Sequence, residues 1–257
     1  MPDSAARVRR FVRENRVLLT LLAAGLLLRL AVALPGLCGD AETCFSRPDT
    51  PGYLGPARAL AAEGSYLDCP GGEPNCGRAP GFPFFASLVF RLFGPENAAA
   101  LAVTLLLAGA LIPLAVYWAG TVWFDRRTAL WGCGFTVLNL TMIAQAPMLL
   151  SDTLFGLIAA LMFGCFGKFH RKSDPRWFVL TLFLAGVGAL IRPINSVWVL
   201  PALFLIAVRP GLGWKQKLAG SRRSCSCCCR GWGATRPSAR GGRSIRTPAQ
   251  CIIRTAR

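Results

Sequence analysis

The chain holds 257 residues, 53% of them hydrophobic and only 16% charged, yet its formal charge is +17. The apolar residues come in runs of about 15 to 25, the length a helix needs to cross a bilayer's hydrocarbon core, which excludes an ordinary water-soluble domain. The basic excess does not indicate a nucleic-acid partner, because it lies in short clusters between apolar runs and in the last 37 residues, with no aromatic-interleaved basic face.

In chain order, the basic leader 1–16 precedes VLLTLLAAGLLLRLAVALPG. This has the layout of a secretory signal, but the apolar run of about 19 residues is too long and lacks a small-residue cleavage site, so 17–35 reads as an uncleaved first span. Next comes a polar loop, 36–80, with six acids against three arginines and four cysteines, Cys38, Cys44, Cys69 and Cys76. In an oxidising compartment one or two disulfides are expected there, with three pairings open. The segment 81–94, GFPFFASLVFRLFG, is short and carries Arg91, so it is expected to be a re-entrant or interfacial helix.

Further spans are expected at 97–120, 128–147, 152–168, 177–191 and 194–208. The last two come from a run too long for one crossing and interrupted by Arg192-Pro193, where proline ends a helix and a membrane-embedded arginine is expensive. If all six spans cross, Arg7 to Arg16, Arg126 and Arg127, Lys168 to Arg176, and Arg209 to Lys217 fall on one side. The positive-inside rule makes that side cytoplasmic and places the loop 36–80 outside. The fold class is therefore an all-α polytopic membrane protein of about six transmembrane helices with a long first extracytoplasmic loop. From residue 221 the chain holds nine arginines, five cysteines and no acid, with neither helical nor strand periodicity. Disorder is expected there. Such a run replacing apolar spans also has the character of an out-of-frame translation, and hence of a truncated product.

Three ionisable residues share the outward face. Asp49 lies in PDTPGY, stiffened by Pro48 and Pro51; Asp152 opens the fourth span in LLSDTLFG; Arg192 marks the break between the last two spans. Each has a plain structural reading: a solvated loop acid, a helix-start acid beside a Ser151 N-cap, and an arginine snorkelling to the interface. Their common sidedness favours a site, since perturbed and costly charges gather where chemistry is done.

PDTPGYLGPARALAAEGSY, GRAPGFPFFASLVFRLFGPEN, LLSDTLFG and ALIRPINSVWVLP, in that order, resemble the N-terminal half of a GT-C membrane glycosyltransferase. The similarity is to the bacterial group related to protein O-mannosyltransferases and to the aminoarabinose transferase of lipid A, and spans roughly residues 5–218. It implies a GT-C-like helical bundle in the bacterial inner membrane. The implied reaction is inverting transfer of a sugar from a polyprenyl-phosphate donor to a lipid, glycan or protein acceptor on the outer side. No cofactor or metal is expected, because the sequence presents no metal-ligand cluster. Asp49 matches the family's loop acid and is implied to be the general base, with Asp152 as a secondary acid. Arg78 and Arg192 are implied to neutralise the lipid phosphate, and Tyr53 and Arg58, at helical offsets from Asp49, to share its face. The residue after Asp49 is Thr50 and not the second acid of the protein O-mannosyltransferases, which weighs toward lipid or glycan acceptors. Members of that group run to 11 to 13 spans, so a donor pocket completed by later spans is expected to be missing here. The alternative is a non-catalytic polytopic protein, a transporter or lipid-flipping subunit. It would require charges scattered along the spans, whereas here they gather at the rim, with Arg29 read as near a span end.

Overall fold

The structure is a computed structural model that describes residues 4–75, 77–95 and 97–198. It is all-helical: among the described residues the only β pairing is an isolated bridge between Leu67 and Pro74. The helices are α1 (Ser4–Cys38), α2 (Ala41–Phe45), α3 (Pro51–Ala62), α4 (Gly81–Phe93), α5 (Ala98–Trp123), α6 (Arg126–Leu138), α7 (Leu140–Gln145), α8 (Asp152–Lys172) and α9 (Pro175–Ile191), followed by a 3-10 turn at Pro193–Trp198. Residues 199–208 of the sixth expected span, Cys76 and the tail 221–257 lie outside the described residues.

Among the described residues three helices are long and apolar enough to cross a membrane: Val12–Cys38 within α1, Ala98–Trp123 and Asp152–Lys172. α9 is apolar but shorter, at 17 residues. The span expected over 128–147 is not one helix. Asn139 adopts an extended backbone, ending α6 and capping α7 by accepting the Met142 N–H at 2.9 Å, because its short side chain competes for main-chain donors.

Close contacts fix the helix directions. Arg126 donates to the Glu14 carbonyl while Val137 touches Gly25, so α6 runs parallel to α1. Gly109 lies against Thr153, Gly164 against Trp118 and Gly167 against Trp123, so α5 and α8 are parallel. α9 returns antiparallel to α8, with the Phe169 and Phe178 rings 5.0 Å apart. Arg171 donates to the Trp123 carbonyl, which gathers Arg13, Arg16, Arg126 and Arg171 at one end of the bundle. At the other end lie Cys38, α2 to α4, Asn97 and the 146–151 segment.

The first loop is built into that end rather than lying on it as a surface strap. Phe45, Tyr53, Leu54, Phe82 and Phe90 bury against Leu101, Leu105, Leu149 and Leu154 in one core. The level of α8's start explains why there is room. Thr153 meets α5 at Gly109, eleven residues below α5's own start, about 16 Å at 1.5 Å per residue. The loop helices fill the recess over α8. The thiols of Cys38, Cys44 and Cys69 are exposed and unbonded, contrary to the disulfides expected for them.

Arg29 is also corrected. It is fully buried rather than near a span end, and its guanidinium donates to the Gly25 carbonyl at 3.0 Å and to the Thr136 carbonyl at 3.5 Å. The second of these belongs to the last turn of α6, where carbonyls lack helical partners.

Two predictions follow from the packing. A Cβ at Gly164 would stand 2.0 Å from Trp118 Cζ3, whereas one at Gly186 meets nothing within 4 Å. Gly164→Ala therefore costs about 1–3 kcal/mol by overpacking, and Gly186→Ala is neutral or stabilising by up to about 1 kcal/mol; melting temperatures in detergent check both. The second concerns Asp125, which caps α6 through the Arg127 and Thr128 N–H groups. Donation from the Thr128 hydroxyl, chiefly, and from those amides holds its carboxyl below 3.8. A lowered acid stabilises the fold fully above its unfolded value and stops doing so as pH falls through the folded one. Asp125→Ala lowers the melting temperature at pH 7, and the gap to wild type closes as pH drops below about 4.

Candidate active site

Asp49 sits in the turn that leads into α3. The turn is locked by Thr50, which is buried, accepts the Arg47 N–H at 2.8 Å and donates to the Leu149 carbonyl at 3.3 Å. Pro51 occupies the first helical position, where its missing N–H costs nothing. The Asp49 carboxylate is thus fixed at its root but exposed, with 65% of its side chain accessible.

Arg78 comes to it from across the loop. Its Nη2 donates to Asp49 Oδ1 at 2.6 Å, and its guanidinium carbon lies 5.0 Å from the centroid of the Tyr53 ring. Tyr53 stands edge-on to Phe82, with centroids 5.3 Å apart, so the ring is a fixed platform. The main chain of Arg78 is also held: Tyr66 donates its hydroxyl to the Arg78 carbonyl at 2.9 Å and Asn75 Oδ1 accepts the Arg78 N–H at 3.2 Å. A Cβ at Gly52 would stand 3.1 Å from Arg78 Nε, so glycine there keeps the guanidinium's approach open. The hydrogen bond to Asp49 is the main cause that raises the Arg78 pKa, so this cation stays charged. Burial chiefly, with the Asp68 charge next, raises the Tyr66 phenol and keeps it a donor.

A second pair faces the same end. Asp152, in the first turn of α8, accepts from Arg192 Nη2 at 2.6 Å. Arg192 ends α9 in an extended conformation before Pro193, so the expected break is present at that residue. The acid sits at a helix start and the arginine at a helix end, each where the helix dipole favours its charge. Ser151 does not cap α8. Its backbone is already helical, its side chain makes no capping bond, and its buried hydroxyl accepts from Arg192 Nε at 3.3 Å.

The two pairs are brought to one region by two junctions. Thr50, beside Asp49, bonds Leu149, three residues before Asp152. The main chain at Gly81, three residues after Arg78, lies against Leu190 and Ile191, where a Cβ would stand 2.7 Å from the Leu190 carbonyl. Asp49, Tyr53 and Arg78 form one cluster, and Asp152 and Arg192 a second. Arg58 joins neither. It pairs with Glu42 at 2.7 Å and donates to the Pro95 carbonyl at 3.3 Å. The helical offset from Asp49 fails for Arg58 because Asp49 precedes the helix; the side chain instead continues the Thr50–Leu54–Arg58 face toward α2. Residues that sequence reasoning missed are Glu42, Gly52, Thr50, Tyr66 and the hydroxyl of Ser151. Only Thr50 carried a local signal, as a small hydroxyl residue beside an acid in a proline-stiffened turn.

The chemistry open to this arrangement is acid–base and electrostatic. One oxygen of Asp49 is tied to Arg78, leaving the other free to accept a proton, and both arginines present N–H groups suited to anionic oxygens. Because Asp49 and Arg78 are well exposed, their pair is worth little: a double-mutant cycle with Asp49→Asn and Arg78→Met should give a coupling of about 0.2–1 kcal/mol that shrinks with added salt. The less exposed Asp152–Arg192 pair, tested with Asp152→Asn and Arg192→Met, should couple more strongly and respond less to salt.

Among known proteins, the family model described as dolichyl-phosphate-mannose-protein mannosyltransferase matches residues 77–220. No curated protein and no solved structure gives a match.

Proposed function

Since the chain belongs to the dolichyl-phosphate-mannose-protein mannosyltransferase family, whose match covers more than half its length, we propose that Asp49 is the base of a sugar transfer from a polyprenyl-phosphate donor. The family makes the chain an integral membrane glycosyltransferase of the GT-C type, with a lipid-linked sugar donor and an acceptor in general terms. The observation that carries the finer reading is the Asp49 carboxylate itself, exposed, rooted by Thr50 and bonded to Arg78 through one oxygen only.

In the proposed reaction an acceptor hydroxyl gives its proton to Asp49 as its oxygen forms a bond to the anomeric carbon. The bond from that carbon to the phosphate oxygen breaks on the opposite face, and the phosphate leaves with the electron pair, inverting the centre. Arg192, steered by Asp152 and Ser151, takes up charge on the departing phosphate, and Arg78 orients the Asp49 carboxylate that accepts the proton. Tyr53 keeps Arg78 in place. The gathering of Arg13, Arg16, Arg126 and Arg171 at the end of the bundle opposite the site supports a cytoplasmic N-terminus and an extracytoplasmic reaction, in a bacterial inner membrane. The acceptor is a lipid, glycan or protein hydroxyl. The family match ends at residue 220, where the composition turns to arginine and cysteine, which supports reading 221–257 as outside the transferase domain.

The test is transfer from polyprenyl-phosphate mannose in proteoliposomes. Asp49→Asn should lower kcat by about 10²- to 10⁴-fold with donor KM little changed, as for loss of a general base. Full activity in that variant would remove Asp49 from the chemistry. Arg192→Lys should instead raise donor KM, because lysine cannot present arginine's planar fork to phosphate.

A further inference from the structure

α2, α3 and the turn after Tyr66 line an open cleft of about 300 Å³ that the reaction above does not use. Its polar lining is Glu42, Ser46, Thr50, Arg58 and Asp68, with Leu54 among the apolar residues. Thr50 and Pro51, which line the cleft, are the residues that follow Asp49 in the chain, so the cleft wall lies next in sequence to the proposed base. We propose that this cleft binds one neutral sugar ring of a glycan acceptor. The inference rests on the transferase reading for its role, but not for its binding.

The size selects a small ligand. A volume of about 300 Å³ stands at the lower limit of ligand pockets, enough for a single ring and too small for a folded peptide or a lipid chain. The charge selects a neutral one. Two carboxylates face one guanidinium, and that guanidinium is already engaged by Glu42 at 2.7 Å and by the Pro95 carbonyl. A phosphate-bearing ligand would meet net negative charge, which assigns the donor phosphate to the Arg192 side and leaves this side to the acceptor.

The hydrogen-bonding groups fit a polyol. Glu42 Oε2 is held by Arg58, which orients the second oxygen as an acceptor. The Asp68 carboxylate makes no hydrogen bond or ion pair among the described residues, and the Ser46 hydroxyl both donates and accepts. Thr50, by contrast, is spent on Arg47 and Leu149 and serves as wall. Carboxylates accepting from neighbouring ring hydroxyls are the strong kind of hydrogen bond for such a ligand. The floor is fixed in place as well: a Cβ at Gly55 would stand 2.2 Å from the Asp68 carbonyl, so the turn bearing Asp68 is seated directly on α3.

The test is binding of methyl α-mannoside to the full chain in detergent by saturation-transfer NMR, with mannose 6-phosphate as the anionic counterpart. The neutral sugar should bind at least tenfold more tightly than the phosphate. Asp68→Asn, a change at an exposed side chain, and Ser46→Ala should each weaken it about tenfold, and Asp68→Asn should also narrow the discrimination against phosphate. Asp49→Asn should leave this binding within twofold, so loss of transfer with retained binding separates the base from the cleft. In proteoliposomes Asp68→Asn should raise acceptor KM with donor KM unchanged. The proposal is overturned if neither sugar saturates the protein at tens of millimolar, if the phosphate binds equally well, or if Asp68→Asn and Ser46→Ala bind as wild type.

Discussion

Leu149 donates its N–H to the Phe45 carbonyl and accepts the Thr50 hydroxyl, and these two bonds fasten the first loop onto the segment that introduces α8. The main-chain groups of 146–151 are not in a regular helix, so their hydrogen bonds must be found elsewhere: Ala146, Met148 and Leu150 donate to nearby carbonyls, and the loop supplies both partners of Leu149. In return the turn holding Asp49 is pinned within a few residues of Asp152. Apolar burial of Phe45, Tyr53 and Leu54 against α5 then makes the docking permanent rather than a surface contact.

That docking works only because α8 begins about 16 Å lower than α5. α5 is long enough to exceed the hydrocarbon core, and without the loop its upper turns would leave Leu101, Leu105 and Leu106 uncovered on this side. The loop helices cover those turns and form a roof over the start of α8. Acid–arginine pairs at this roof are half-exposed, where an ion pair is weak as a stabiliser but effective at holding a side chain in a chosen direction. Arg29 follows a different rule. Deep in α1 and without an acid partner among the described residues, it is tolerated because it donates to carbonyls, one of them in the last turn of α6.

The placement of Arg58 shows why spacing misleads at the edge of a helix. Offsets of four and nine residues, about one and two and a half turns, predict a shared face only within the helix, and Asp49 stands in the turn before it. Tyr53 reaches Asp49 through Arg78, while Arg58 turns to Glu42 and so divides α3 into two working faces, one toward the arginine of the proposed base and one toward the cleft.

By itself the sequence determined the membrane character, the helices α1, α5 and α8, the break at Arg192-Pro193 and the gathering of Asp49, Asp152 and Arg192 at one end. These are local matters, set by the length of apolar runs, by proline's missing N–H and by the sidedness of basic clusters. Only the tertiary structure decided that Asp49 meets Arg78 and Asp152 meets Arg192, that Ser151 serves Arg192 rather than a helix cap, and that Asn139 divides the expected third span. Pairs separated by 29 or 41 residues, as Asp49–Arg78 and Ser151–Arg192 are, leave no periodic trace in the chain. They are chosen by where helices of unequal depth place their ends.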